Sequence, residues 1–256
     1  MTIEIDLHCD MGESFGIYNL GNDEEMMRYV TSISVGCGFH AGDPHVMRKT
    51  VALAKQHGVA VGAHPGYPDL MGFGRRKMEV TPEEAKDYIR YQVGALTAFC
   101  QAAGLELQHV KPHGEFYQMP WMNEALARGI LEAIQEIKPE PIFLALYNTI
   151  PYEMAQSMGI RVAGELYGDL DYYPDGTTFI KKVHGEIDPK ATVEKVLKMV
   201  LEEKVIASDG KEIEVKGKSV CLHGDNPRAP EIARTLREEL EKRGAKIVCL
   251  GLQSYS

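Results

Sequence analysis

Residues 33–64 read ISVGCGFHAGDPHVMRKTVALAKQHGVAVGAH, and this stretch decides the fold. It begins with a short apolar run, Ile33–Cys37, whose length suits a buried strand. Asp43-Pro44 follows, an N-cap residue and then a proline suited to the first helical turn. The helix opened there runs to Gly58, a natural residue for a left-handed C-terminal cap. A second apolar run, Val59–Ala63, comes next and delivers His64. Strand, helix, strand is a βαβ unit, and such units build parallel sheets.

The alternation extends in both directions. Ile3–Leu7, Leu107–Val110, Ile142–Leu146, Val162–Gly164, Val220–Leu222 and Ile247–Leu250 also read as strands, which makes eight with the two above. Thr81-Pro82-Glu83-Glu84 is a capping box that opens a helix ending at Gly104. Asn123 to about Lys138, Pro189 to about Lys204 and Pro230 to Gly244 are three more helices. Ser208-Asp-Gly210 reads as a hairpin turn between Val205–Ala207 and Glu212–Val215. There is no repeat, low-complexity tract or linker, so residues 1–256 are expected to form a single domain. Eight short strands, each followed by a helix or long loop, favour a closed or nearly closed parallel barrel. An open doubly wound sheet satisfies the same pattern, because strand order is not visible in sequence.

The 256 residues are 44% apolar and 25% charged, ordinary for a globular protein, which excludes disorder, collagen and coiled coil. A net charge of −9 argues against a dedicated nucleic-acid binder. Cys9, Cys37, Cys100, Cys221 and Cys249 are odd in number and scattered, which points to reduced thiols and a cytoplasmic setting. The first residues are acidic where a signal peptide needs basic and apolar ones, and no apolar run is long enough to span a bilayer.

Polar residues gather after the strands. Asp6, His8, Asp10 and Glu13 belong to the first, and His40 and Asp43 to the second. The third is followed by His64, Asp69, Arg75 and Arg76, and the fourth by Lys111, His113, Glu115 and Tyr117. Glu165, Asp169 and Asp171 follow the sixth, and His223 and Asp225 the seventh. In a barrel these positions open on one face, where active sites lie. His and carboxylate pairs serve as general acids and bases near neutral pH. Lys111, Arg75 and Arg76 suit an anion, either a carboxylate or a phosphoryl group. Asp6, His8, His40 and His64, from three consecutive strands, are a candidate ligand set for a divalent metal of the Zn or Fe class. No standard nucleotide-binding loop is present. Cys37 and Cys221 read as small buried fillers, and His45, His57, His109 and His184 as surface or core residues.

Five ordered motifs, IDLHCDMGESFG, CGFHAGDPHVM, VGAHPGYPDLMGFGRR, VKPHGEFY and VCLHGD, resemble the LamB/YcsF family, from about residue 3 to about residue 249. The resemblance implies a single (β/α) barrel of the glycoside hydrolase/deacetylase type with about seven core strands. It also implies ATP-dependent opening of 5-oxoproline to L-glutamate by the A component of a 5-oxoprolinase, working with B and C partner subunits. Four positions depart from the family's usual residues: His8 and Ser34 stand where Asn is usual, and Leu170 and Lys181 where Arg is usual. The leading expectation is therefore an ATP-dependent hydrolase of a small cyclic amide. In it Asp6, His40, His64, Lys111, His113 and His223 do the chemistry. Glu13, Asp43, Asp69, Arg75, Arg76, Tyr117, Glu165, Asp169 and Asp225 hold substrate or phosphoryl. The alternatives are a metal-dependent deacetylase or amidohydrolase on the same barrel, which His8 favours, and a non-catalytic regulatory subunit.

Overall fold

The computed structural model describes residues 2–178, 188–224 and 226–254. In chain order its elements begin β1 (Glu4–Met11), α1 (Asp23–Met26), β2 (Ser32–Gly36), α2 (Pro44–His57), β3 (Ala60–His64), α3 (Pro82–Ala103) and β4 (Leu107–Val110). They continue with α4 (Gly114–Gln118), α5 (Glu124–Glu136), β5 (Ile142–Ala145), α6 (Ile150–Ser157), β6 (Val162–Tyr167) and α7 (Pro189–Glu202). The last are β7 (Lys204–Ile206), β8 (Glu212–Glu214), β9 (Ser219–His223), α8 (Ala229–Lys242) and β10 (Lys246–Ile247). Seven parallel strands run β1-β2-β3-β4-β5-β6-β9, and β9 pairs back onto β1 to close the barrel. The open-sheet alternative is thereby removed.

The eighth strand expected from the sequence is not a barrel stave. β10 pairs only with Glu4 and Ile5, where β1 begins, while Asp6–Asp10 pair with β9. The rest of that apolar run turns into a 3-10 helix, Leu250–Leu252. Leu250 packs on Ile142, Leu144 and Ala163. The hairpin at 205–215 is present as β7–β8, antiparallel and outside the barrel.

Helix ends follow their local chemistry. Asp43 caps α2 by accepting from the His45 and Val46 amides, and Gly58 ends it at φ 67°. Thr81 and Glu84 complete both halves of the capping box of α3. α3 buries Ala85, Ile89, Gln92, Val93, Leu96 and Cys100, a face with helical period.

The barrel strands have the opposite logic to an ordinary core. On β1 the outward set Ile5, Leu7, Cys9 and Met11 is apolar, and all four are buried. The inward set is Asp6, His8 and Asp10. Ser32 and Ser34 of β2, Glu165 of β6, and Ser219 and Cys221 of β9 also point inward and contact this set. This is period-two alternation, polar within and apolar beneath the helices. The sequence-based strands stop short because a polar residue reads as a strand end there. Asp6, His8, Asp10, Glu165 and His223 therefore lie within strands, not after them.

Candidate active site

A cleft opens at the carboxyl ends of the strands, lined by Asp10, His64, Arg75, Lys111, His113, Tyr117, Tyr167, Leu170, Thr178 and His223. It encloses about 440 Å³, part of it open to solvent. At its floor the Lys111 ammonium donates to both Asp10 oxygens at 3.0 Å and lies 2.9 Å from Glu165 Oε1. It also lies 3.0 Å from Cys221 Sγ. Glu165 accepts from Tyr167 Oη at 2.6 Å and Tyr117 Oη at 3.4 Å. Burial opposes charge on all of these groups. It is overcome at Asp10, which His64 and Lys111 hold well below the usual carboxylate range. It is overcome at Glu165, brought down to about 2 by Lys111 and His8. Asp10, Cys221 and Glu165 in turn hold the Lys111 ammonium well above its usual value. The floor is one ammonium shared by two carboxylates. The Cys221 thiol is pushed well up by burial and then by Asp10, so it is no ready nucleophile.

On one side of Asp10 stand three imidazoles. His64 Nδ1 is 2.7 Å from the Lys111 carbonyl, and His113 Nε2 is 2.8 Å from the Phe73 carbonyl. The remaining nitrogens, His64 Nε2 and His113 Nδ1, are 2.9 Å apart. His40 stacks on His113, with centroids 3.7 Å apart and planes 3° from parallel, and reaches Glu13 Oε1 at 3.1 Å. Burial pushes all three below the ordinary histidine value, and neighbouring imidazoles add to this at His40 and His113.

On the other side His223 Nδ1 pairs with Asp169 Oδ2 at 2.7 Å, and Tyr167 stacks on its ring. Burial would lower His223, but Asp169 reverses this and raises it to about 9. The cleft therefore has an electron-rich side and a proton-rich side, with Lys111 between them.

Several expected site residues lie elsewhere. Asp6 is held one layer deeper by the Thr31, Ser32 and Ser219 hydroxyls, each at 2.7 Å. Asp43 is spent on capping α2 and on the Gly16 amide at 2.8 Å. Asp69 pairs with Arg76, and both line a separate surface groove beside Phe39 and Met71. Of the two adjacent arginines, only Arg75 reaches the cleft. The proposed ligand set Asp6, His8, His40 and His64 does not converge. Asp6 belongs to none of the possible ligand clusters, and His8 joins Glu165 and Cys221, apart from His40 and His64. The reason is depth: period two puts Asp6, His8 and Asp10 in successive layers of the barrel. Asp225 and Lys181 lie outside the described residues, as does His184.

Residues not counted among the site residues on sequence alone complete the site. Asp10 is its electrostatic centre, and Tyr167 and Cys221 contact Glu165 and Lys111. The alternation D-x-H-x-D in β1 and E-x-Y in β6 is the signal that finds them.

The sequence profile of the LamB/YcsF family matches residues 5–253. The chain belongs to the LamB/YcsF family. Within that family it is 51% identical to the 5-oxoprolinase A subunit of Thermococcus onnurineus, over 97% of this chain and 98% of the relative. It is also 51% identical to that of Pyrococcus horikoshii, over 96% and 97%. The crystal structure of the lactam utilization protein from Thermus thermophilus superposes with a TM-score of 0.89 at 42% identity, covering 96% of this chain and 99% of that one. His8 Nε2 lies 2.8 Å from Ser34 Oγ, which lies 3.1 Å from His109 Nε2. This chain's His8 and Ser34 thus form one buried layer under the cleft. Leu170 lines the cleft wall. Among the described residues no helix is long and apolar enough to cross a membrane, and all five cysteines are free.

Proposed function

We propose that this chain is the ring-opening subunit of an ATP-dependent 5-oxoprolinase, which converts 5-oxoproline to L-glutamate with B- and C-type partner subunits. The relatives named as 5-oxoprolinase A subunits and the lactam utilization protein support the substrate class. The observation that carries the reading is the two-sided cleft, because opening an amide ring needs both ends. A water proton has to be drawn off, and the ring nitrogen has to receive one as the C–N bond breaks. His64 and His113 make the electron-rich end where water is activated. The protonated His223, fixed by Asp169, is the donor to the leaving nitrogen. Lys111, held rigidly by Asp10 and Glu165, stabilises the negative charge at the carbonyl end of the ring, which is a phosphoryl group's once ATP has acted.

A five-membered lactam has full amide resonance and little ring strain. Phosphorylating its carbonyl oxygen makes the ring carbon open to water, which is the chemical need for ATP: water adds, the C–N bond breaks as the nitrogen takes a proton, and a second water releases the phosphoryl group of the resulting acyl phosphate as inorganic phosphate. The cleft floor does not fit a bound triphosphate. Lys111 is already shared by Asp10 and Glu165, and Glu13 adds a third carboxylate nearby. In this reading ATP is bound in the assembly, by the partner subunits, and this chain's residues act on the ring.

The test is reconstitution. The pure chain given 5-oxoproline and ATP is expected to release no glutamate, and the chain mixed with B- and C-type subunits to release it. The Lys111→Met chain in the same mixture should lose at least about 100-fold. ATP-dependent turnover by the pure chain would remove the partner requirement. Opening of another cyclic amide but not 5-oxoproline by the full mixture would remove the substrate.

A further inference from the structure

The contact between His64 and His113 has an unusual electronic consequence. A backbone carbonyl only accepts hydrogen bonds, so each ring nitrogen facing one carries the proton. That assigns the proton to Nδ1 of His64, against the Lys111 carbonyl, and to Nε2 of His113, against the Phe73 carbonyl. In the neutral rings the other two nitrogens, 2.9 Å apart, then both present lone pairs to each other. Carboxylates stand close by: Asp10 Oδ2 is 3.4 Å from His64 Nε2, and Glu13 Oε1 is 3.7 Å from His113 Nδ1. Two lone pairs and two carboxylates thus converge on one small volume, with the Lys111 ammonium engaged on the far side of Asp10.

The rings are not free to turn away. Phe73 takes a left-handed φ of 53°, a conformation a bulky side chain rarely adopts, and this aims its carbonyl at His113. Next to it Gly74 has φ 63°, and a Cβ there would stand 2.8 Å from both His40 and His113. A Cβ at Gly66 would stand 2.5 Å from His40 Nδ1. The backbone thus closes tightly on all three imidazoles, and one ligand atom from each of Glu13, His40, His64 and His113 lies within 4.8 Å of the others.

We infer that His64 Nε2, His113 Nδ1 and Glu13, with His40 beside them, form a site for a divalent cation. Two imidazoles with one carboxylate select a borderline ion of the zinc and cobalt(II) class, whereas magnesium and calcium favour sets of oxygen ligands; His40, stacked flat on His113, supports that ring rather than completing the set. Metal–nitrogen bonds of about 2.0–2.1 Å in a tetrahedron set ligand atoms roughly 3.3 Å apart. The 2.9 Å contact reaches that by a shift of a few tenths of an ångström. This site is not the set expected from sequence: His40 and His64 remain, while His113 and Glu13 take the places of Asp6 and His8. It does not depend on which ring the cleft opens, but with the ion held His64 and His113 are ligands rather than bases, and water at that end would be activated by the ion instead.

The test uses the full chain, stripped with chelator and titrated with Zn²⁺ and, separately, Co²⁺. One equivalent is expected by calorimetry, with visible Co²⁺ bands of a tetrahedral site of mixed nitrogen and oxygen ligands. His64→Asn and His113→Asn should each weaken binding by about 100-fold or more. His57→Asn, on the exposed end of α2, should leave it unchanged. Because a histidine variant could fail to fold, Glu13→Gln gives a second reading. Zn²⁺ should raise the melting temperature of the wild type, and this rise should shrink in Glu13→Gln. No stoichiometric uptake, or equal uptake by the wild type and both histidine variants, would overturn the site. Glutamate formation by the reconstituted assembly with no metal uptake would sink this inference and leave the ring-opening reading standing. Metal uptake without glutamate formation would do the reverse.

Discussion

Asp6 and Asp10 lie on the same strand, four residues apart, both buried and both facing the barrel interior, yet they are different chemical objects. Asp6 meets three hydroxyls, and Asp10 meets an ammonium and a histidine. Burial dominates at Asp6 and raises its carboxyl above the usual range, although His8 and then the hydroxyls oppose it. At Asp10 His64 and Lys111 overcome burial and drive the carboxyl well below that range. Neutral donors satisfy a buried carboxylate without compensating its charge, whereas a full counter-charge inverts the balance. Asp6 is thus part of the scaffold, and Asp10 organises the reactive floor.

The strongest challenge to this contrast is Lys111→Met. It leaves Asp10 and Glu165 buried together without their ammonium, and a destabilisation of about 3–5 kcal/mol is expected from denaturant melts. A loss no larger than that of an Asp6 variant would show that the floor charges are not coupled as described. Next in size is Asp10→Asn. Glu165 still holds Lys111, so the fold should survive, while turnover by the reconstituted assembly should fall by roughly 100-fold. Unchanged turnover would move Asp10 into the scaffold class with Asp6.

A third measurement concerns the proton-rich side. Asp169 raises His223 above its ordinary 6.5 to about 9. The stability from the protonated pair is fully present below pH 6.5 and is lost as pH rises through about 9. An NMR titration of the His223 ring should show a midpoint near there, and Asp169→Asn should bring it back toward the ordinary value. A midpoint near 6.5 in the wild type would remove His223 as the proton donor.

The smallest effect is expected at Asp6. Its raised carboxyl contributes stability at acid pH that is lost as pH rises through its folded value. Asp6→Asn should flatten this slope and shift neutral-pH stability by no more than about 1 kcal/mol, since hydroxyls can turn to accept as well as donate. Asp6→Ala, which strands three hydroxyls, should cost about 1–3 kcal/mol. Loss of activity per folded molecule in Asp6→Asn would erase the distinction between the two carboxylates.

Much of the fold was legible because helix ends are decided locally. Asp43 with Gly58, and Thr81 and Glu84 with Gly104, act within a few residues of themselves and appear where the sequence places them. The strands were legible in their apolar halves only. His8, Asp10, Glu165 and His223 were read as lying beyond the strands, because polar residues inside a closed barrel run against the usual aliphatic filling. Of the expected chemical residues, His40, His64, Lys111, His113 and His223 meet around one cleft, and Asp6 does not. Asp43 and Asp69 were indistinguishable from site residues by type and place, although one caps a helix and the other grips Arg76.

Sequence by itself determined the βαβ alternation, the helix boundaries, the family and the stock of reactive side chains, since each depends on neighbours along the chain or on motifs quoted from it. Tertiary structure alone decided that seven strands close while β10 only flanks β1, because closure is a pairing between β9 and β1, more than two hundred residues apart in sequence. It also decided depth. Residues of one type on one face of one strand become scaffold or reactive floor according to which strands stand opposite. Only the closed barrel brings Lys111 to Asp10 and three hydroxyls to Asp6.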